Sequence, residues 1–401
     1  MNALGFAWRS LVRQPARAAL GVLGVAAVGA LLFDMLLLSN GFILSLHDLL
    51  DRYGWDIRVV GGDLPLEGPR IRNASAIADT IARLPSVRAA LLVRIANVQV
   101  DRVVGPPLTA QLVGVDVRSA PGRAVQTSPP WTILSGRDVA NANEVVVNTP
   151  LASAANIAPG ATITMRALCV AEREALPPTT MRVVGIAEFP FTAIDEHAAG
   201  ATFAALKAAC AGNVDDDVDL LLVTSTGDAD GAAAAIRAVQ PGVNAMTNAE
   251  VVGRFQQAGF SYFQQISTVL TAVTVSFAVL LITVLLTVSV NQRLGEIAAL
   301  RALGFSRSRV VKDVLSESTL IVGTGGLLSL PLGWLLARGL DDILKSMPGI
   351  PAQLHFFVFE PEAVALHLAL LIATALIAAA YPMRIVSTLP IAATLRDEVI
   401  G

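Results

Sequence analysis

The sequence predicts an α-helical membrane protein with four transmembrane helices and a large extracytoplasmic α+β domain between helices 1 and 2. Three observations carry that expectation. Of 401 residues, 54% are hydrophobic and only 15% are charged, against roughly 25% in soluble domains. Four apolar stretches are near the length of about 20 residues that crosses a bilayer. Between the first two lies a long segment of different texture, in which prolines and glycines punctuate short β-branched runs.

The first span is placed at 18–40, after a cytoplasmic segment at 1–17 that carries Arg9, Arg13 and Arg17. A cleaved signal peptide is the rival reading. The apolar run is longer than a signal core, and no A-x-A-like site follows it, so an uncleaved anchor is expected. Its one charge, Asp34, is expected near the outer interface, where a side chain can snorkel. The second span, 264–290, has no charge but many hydroxyls, among them Thr271, Thr274, Thr283 and Thr287. These can bond to their own helix or to a neighbour. The third, 318–340, contains Gly323, Gly325, Gly326 and Gly333 with Pro331; such glycines let helices approach closely. The fourth, 363–381, is expected to stop at Pro382.

Short flanking segments set the orientation. The leader is basic, the 291–317 loop holds Arg293, Arg301, Arg307, Arg309 and Lys312, and the 382–401 tail has Arg384 and Arg396. The 341–362 connection instead carries Asp341, Asp342, Glu360 and Glu362 against Lys345. Both termini are therefore expected in the cytoplasm, with 41–263 outside. The net charge of −3 and the lack of a basic tract argue against a nucleic-acid partner.

In the external segment, runs at 56–60, 98–104, 144–147, 162–165, 181–186 and 220–224 read as strands, and alanine-rich runs at 75–84 and 229–239 as helices. Thr247 and Glu250 have the spacing of a capping box. From there helical character is expected to continue past Asn291, weakened at Gly253 and Gly259. Such a helix of about 44 residues would be roughly 66 Å long. The first span is likewise expected to continue to about Arg52. Two helical stalks would then join membrane and domain, either transmitting movement or serving as spacers.

Cys169 and Cys210 both fall in the external region, where a disulfide is permitted; two buried free thiols are the alternative. Neither has partners at zinc-ligand spacing. His47, His197, His355 and His367 are scattered and read as surface or interfacial residues. Asp215, Asp216, Asp217 and Asp219 read as a solvated turn in preference to a cation site. No lysine is preceded by glycine, which excludes a standard P-loop, and no nucleophile elbow or H-E-x-x-H pair occurs. No catalytic constellation is found, and no cofactor is expected on this chain.

The most specific segment runs from Asn291 through Glu296-Ile-Ala-Ala-Leu-Arg-Ala-Leu-Gly-Phe305 to Arg307 and Arg309. Its apolar and charged residues suit either a groove on a cytoplasmic partner or a headgroup surface. It resembles the cytoplasmic loop of the MacB/FtsX/LolC-type ABC permeases, where E-I-x-x-L-R-A-L-G joins spans two and three. Tyr381-Pro-Met-Arg384 and Leu389-Pro-Ile-Ala-Ala-Thr-Leu-Arg396 resemble the family's terminal motifs, with Thr394 in a slot usually held by alanine. Ser135-Gly-Arg137, Glu144-Val-Val-Val147, Pro159-Gly-Ala-Thr-Ile163 and Arg182-Val-Val-Gly-Ile186 follow the order of the family's porter domain. The N-terminal Trp8-Arg-Ser-Leu-Val-Arg13 is similar to the DevC-like branch.

The resemblance implies the permease subunit of an ABC exporter in the bacterial inner membrane. Two copies of a separate ATPase, carrying the ATP and Mg, would pair with a permease dimer formed from this chain and either a second copy or a related subunit. A periplasmic membrane-fusion protein and membrane lipids are the other partners implied. Glu296, Ile297, Leu300, Arg301, Ala302, Gly304, Phe305, Arg307 and Arg309 would receive the ATPase's movement, which the chain would pass to its outer domain by mechanotransmission. The amphiphilic substrate (lipid, lipoprotein, peptide or drug) is not specified by any residue. The alternative is an FtsX-like scaffold activating a cell-wall hydrolase, against which the size of the outer domain argues. A sensor without an ATPase is opposed by the loop motif.

Overall fold

The computed structural model describes residues 12, 15–63, 68–102, 104–120, 129–169, 177–210, 215–257, 261–292, 294–303, 306–347, 350–351 and 353–388. The chain divides into two compact units. One comprises Met1–Phe42, Ser261–Asp342 and Phe356–Gly401; the other comprises Ile43–Phe260 and Ile343–His355.

The first unit is helical. It contains most of α1 (Pro15–Asp51), α7 (Ser261–Asn291), α8 (Leu294–Ala302), most of α9 (Arg307–Lys345) and α10 (Pro361–Thr388). Four stretches, Ala18–Asp51, Gln265–Val288, Thr319–Lys345 and Pro361–Ile385, are long and apolar enough to cross a membrane. Helices α1 and α9 run parallel and meet every fourth residue. A Cβ placed at Gly21 would lie 3.3 Å from Ile321, at Gly325 2.7 Å from Val25, at Gly29 2.8 Å from Ser329, and at Gly333 2.9 Å from Phe33. Spacing by four on both helices is ridge-into-groove packing, brought close by small residues.

On α7 the hydroxyls mostly bond backward along their own helix, as Thr274 does to Leu270 O and Thr287 to Thr283 O at 2.8 and 2.7 Å. Ser267 instead donates to Met35 O on α1 at 3.2 Å. The expectation that the fourth span stops at Pro382 needs correction, because α10 passes through that proline to Thr388. Proline lacks the N–H that would bond Ala378 O. Thr283 Oγ1 lies 2.6 Å from Val279 O and 3.3 Å from that carbonyl, and its one proton is shared between the two acceptors.

The second unit is built on a ten-stranded sheet with strand order β12-β1-β11-β3-β4-β9-β6-β8-β5, and β7 pairs with β3 and β8. In chain order these are β1 (Ile57–Val60), β3 (Val87–Val100), β4 (Leu108–Ser119), β5 (Thr132–Gly136), β6 (Glu144–Val147), β7 (Thr162–Ala167), β8 (Thr179–Glu188), β9 (Ala198–Thr202), β11 (Leu220–Ser225) and β12 (Asn244–Thr247). Strands β2 (Ile71–Arg72) and β10 (Asp217–Val218) form a separate pair. Only β4–β9 and β6–β8 are parallel.

Side chains alternate between sheet faces. Ala90 and Leu92 of β3 join the core under α2 (Ala74–Ala82) and α5 (Ala229–Val239), while Ala89, Leu91 and Val93 join the one holding the end of α1 and α6 (Asn248–Phe255). Farther along, Val98 and Val100 pack with α3 (Thr149–Ala155) and α4 (Phe203–Ala209). Helix α1 continues unbroken to Asp51. The expected capping box forms, with Glu250 N to Thr247 Oγ1 at 3.3 Å and Thr247 N to Glu250 Oε2 at 3.2 Å. Helix α6 runs on as a π-turn at 256–257 and α7 starts at Ser261; the expected continuity across 258–260 lies outside the described residues.

Glu144, at the start of β6, is buried. Its carboxylate accepts from both terminal nitrogens of Arg137, and from Ala140 N at 2.9 Å and Asn141 Nδ2 at 3.2 Å. The Arg137 bond, then the amides, hold its pKa well below the ordinary 4.5. A depressed carboxylate stabilises fully above its unfolded pKa, and that contribution is lost as pH falls through the folded value. Thermal unfolding of Glu144→Gln should therefore occur at lower temperature than wild type at neutral pH, with the gap closing below pH 4.5 in strong acid. A gap independent of pH would show that the charge is not what matters.

Candidate functional site

The segment singled out by sequence forms a helix–turn–helix element. Glu296, Ile297, Leu300, Arg301 and Ala302 lie on α8, and Arg307 and Arg309 lie in the first turn of α9. Ile297 and Ala298 are buried, whereas Ala302 and Leu303 are exposed, the latter 78%. Gly304 and Phe305 lie outside the described residues, as do the side chains of Glu296, Leu300, Arg301, Arg307 and Arg309. Helical spacing places positions 297, 300 and 301 on one face of α8. The tail motif at 389–396 and the N-terminal motif at Trp8 are likewise outside the described residues.

Of the four α9 glycines expected at helix contacts, three sit at packed positions. Gly325 meets α1, Gly333 meets Phe33 and Ala30 O, and a Cβ on Gly326 would lie 3.0 Å from Leu371 of α10. Gly323 has nothing within 4 Å and is corrected to an open position.

Two ionisable residues within the spans differ from expectation. Asp34 is 1% exposed, packed among helices where snorkelling to solvent was expected, and its Oδ1 has no hydrogen-bond partner among the described residues. His367 is fully buried, with its ring 5.2 Å from that of Phe33. Ser329 Oγ donates to Gly326 O at 2.7 Å and lies 2.9 Å from His367 Nε2. The second contact joins α9 to α10. Gly29 packs closely over Ser329. Neither residue lies in a sequence motif; only their burial singles them out.

In the α/β unit, Cys169 and Cys210 are joined by a disulfide, with Cα atoms 5.8 Å apart and a sequence separation of 41. Closing such a loop removes about 4 kcal/mol of unfolded-state entropy in the chain-entropy account. The acidic turn is not solvated as expected. Asp216 accepts from Ser75 N and Oγ at the start of α2, and Asp219 accepts from Arg94 and Arg70. Among the described residues, no group of three or more His, Cys, Asp or Glu is placed to hold a metal.

A cleft of about 380 Å³ opens beside β4, floored by Leu91, Val115, Trp131 and Phe203, a size suited to small ligands. Its two carboxylates are engaged: Asp138 accepts from Trp131 Nε1 at 3.0 Å, and Asp116 pairs with Arg118 at 2.8 Å. The cleft therefore offers a mixed apolar and polar lining in which both carboxylates already have partners.

Four apolar helices with a large α/β domain between the first and second define a polytopic membrane protein. Residues 268–391, spanning α8, α9, α10 and most of α7, match the family model for the FtsX-like permease C-terminal region, to which this part of the chain is similar. No curated protein matches the chain. Among solved structures, the periplasmic region of MacB from Actinobacillus actinomycetemcomitans is similar at 13% identity and a TM-score of 0.37, covering 52% of this chain and 95% of that one. The extracellular domain of the noncanonic ABC-type transporter YknZ from Gram-positive bacteria gives 11% and 0.33, covering 47% and 98%. A domain of a permease protein from Porphyromonas gingivalis gives 10% and 0.29, covering 48% and 88%.

Proposed function

We propose that this chain is the permease subunit of an ABC exporter. A separate ATPase docks on the 294–309 element. Its movement passes along α1 and through α6 and α7 to the α/β domain, which exports or extracts an amphiphilic substrate. The observation that carries this reading is the FtsX-like permease match, which spans the docking element and the helices on either side of it. The chain works as a dimer, with itself or a related subunit, and with two ATPase copies that hold ATP and Mg; a membrane-fusion protein completes the path. It lies in the inner membrane with both termini cytoplasmic and the α/β domain periplasmic. The cleft beside β4 suits an apolar part of the substrate, be it lipid, lipoprotein, peptide or drug.

Purification of the detergent-solubilised protein with whatever it carries is the direct test. A soluble P-loop ATPase in near-equal amount is the expected companion; a stable complex containing a cell-wall hydrolase and no ATPase would replace this reading with the scaffold. Glu296→Ala and Arg301→Glu should each weaken ATPase binding by about 2 kcal/mol, roughly 30-fold. Stimulated ATP hydrolysis and export should both fall while insertion is unchanged. Survival of both activities in both variants would remove the 294–309 element from the coupling role.

A further inference from the structure

One buried charge in the α/β unit belongs to no motif. Arg58 lies in β1, between β11 and β12, and is 5% exposed. Alternation sends Ile57 and Val59 to the face covered by α2 and α5, and Arg58 and Val60 to the opposite face. That second face holds Leu46 and Leu50 from the end of α1 together with Val251 and Val252 of α6.

The guanidinium sits where these two helices come together. Arg58 Nη2 donates to Leu50 O in the last turn of α1 at 3.4 Å, and Nη1 donates to Asn248 Oδ1 at the start of α6. Asn248 Nδ2 in turn donates to Asp51 Oδ1 and, at 3.0 Å, to Trp55 O. Its backbone N–H donates to Asp56 O at 3.0 Å. One arginine–asparagine pair therefore ties the end of one helix to the beginning of another and both to the sheet.

Such a pair is a costly way to gain stability. Burial draws the Arg58 pKa down to about 10 against the opposing pull of Asp51 and Asp56, and well-packed apolar residues often serve a core as well or better. What apolar contacts lack is direction. A planar guanidinium and a planar amide fix both the spacing and the angle of the groups they bind. The C-terminal end of α1 also carries the negative pole of its peptide dipoles, which favours a cation there.

We propose that Arg58 and Asn248 form a joint that makes the end of α1, the start of α6 and the sheet move as one body. Its use in transmission rests on the permease reading above, but its existence is testable without it. The test uses the full chain in lipid nanodiscs, with spin labels on Asp48→Cys and Ala249→Cys, both at exposed positions. The only described cysteines are disulfide-bonded and do not compete for label. The parent should give a narrow distance distribution. Arg58→Met and Asn248→Leu should each broaden it, and the double variant should be no broader than either. Arg58→Lys keeps the charge without the fork and should broaden it as well, which serves if the apolar variants fail to fold. A broad distribution in the parent, or unchanged width in folded variants, overturns the joint. Export per ATP hydrolysed, measured alongside, separates the two ideas. Coupling retained in variants whose labels have loosened overturns the joint's role in transmission, whereas lack of any ATPase partner overturns the permease reading and leaves the joint standing.

Discussion

Asp219→Ala should destabilise the α/β domain by about 3–5 kcal/mol, the usual result of stranding one member of a buried ion pair. The Arg94 side chain is only 4% exposed, and Asp219 receives its Nη1 at 3.0–3.1 Å on both carboxylate oxygens. The same carboxylate accepts from Ile95 N at 2.6 Å and from Arg70 Nε at 3.0 Å. Removing it leaves a backbone N–H without its acceptor and the guanidinium with only Ile95 O at 3.1 Å. Asp217, at 3.8 Å from Arg94 Nε, is too distant to replace it. Thermal unfolding of the full chain should show the domain transition lowered by roughly 10 °C. Arg70→Ala is the control. Its side chain is 51% exposed, so the pair it makes is worth only about 0–1 kcal/mol. Replacing both buried partners, as Arg94→Met with Asp219→Leu, should recover much of the loss, because the cost lies in the stranded charge. A single-site loss under about 1 kcal/mol would mean that water reaches Arg94 when its partner is gone.

The same cluster shows where sequence reading stops. Four adjacent or near-adjacent aspartates look like a turn in water because the arginine that absorbs Asp219 lies 125 residues away. Run length, by contrast, is a one-dimensional property, and the four spans, β6 and α5 were all legible from it. Strand β4 was not, since Gly114 interrupts its pattern. That glycine reads as a break, yet a Cβ there would lie 2.8 Å from Leu206, so it admits α4 against the strand. Gly200 in β9 is similar: the ring of Trp131 would lie 2.8 Å from its Cβ. Ala198–Thr202 lacks large β-formers because an aromatic ring fills the space over it. The buried state of His367 depends on Ser329, 38 residues earlier on another helix. The Ala378 carbonyl, which Pro382 deprives of its usual donor, lies 3.3 Å from Thr283 Oγ1 on another helix. In each case the deciding partner is distant in sequence, and neither periodicity nor composition records it.

Gly333→Ile should disrupt the membrane unit, whereas Gly323→Ile should leave it intact. Ten residues apart on one helix, the two glycines look alike in sequence and differ only in what faces them. At 333 a Cβ would come within 2.9 Å of Phe33 Cδ1 and 3.1 Å of the Ala30 carbonyl oxygen. A ring can swing aside only in a loose core, whereas Phe33 is fully buried among Leu37, Ala337 and Ala363, and the carbonyl belongs to a helix backbone. Helices α1 and α9 would have to separate, at an overpacking cost of about 1–3 kcal/mol. Because contacts recur every fourth residue from Gly21 to Phe33, a shift at one pair loosens its neighbours, including the Gly29–Ser329 contact beside His367. At 323, two residues from the packed Gly325 and so about 200° around the helix, nothing lies within 4 Å. Yield of monodisperse protein and its unfolding temperature would measure both effects. Damage from Gly323→Ile equal to that from Gly333→Ile would show that the open face is covered in the membrane, which in a dimeric permease would place the second subunit against α9.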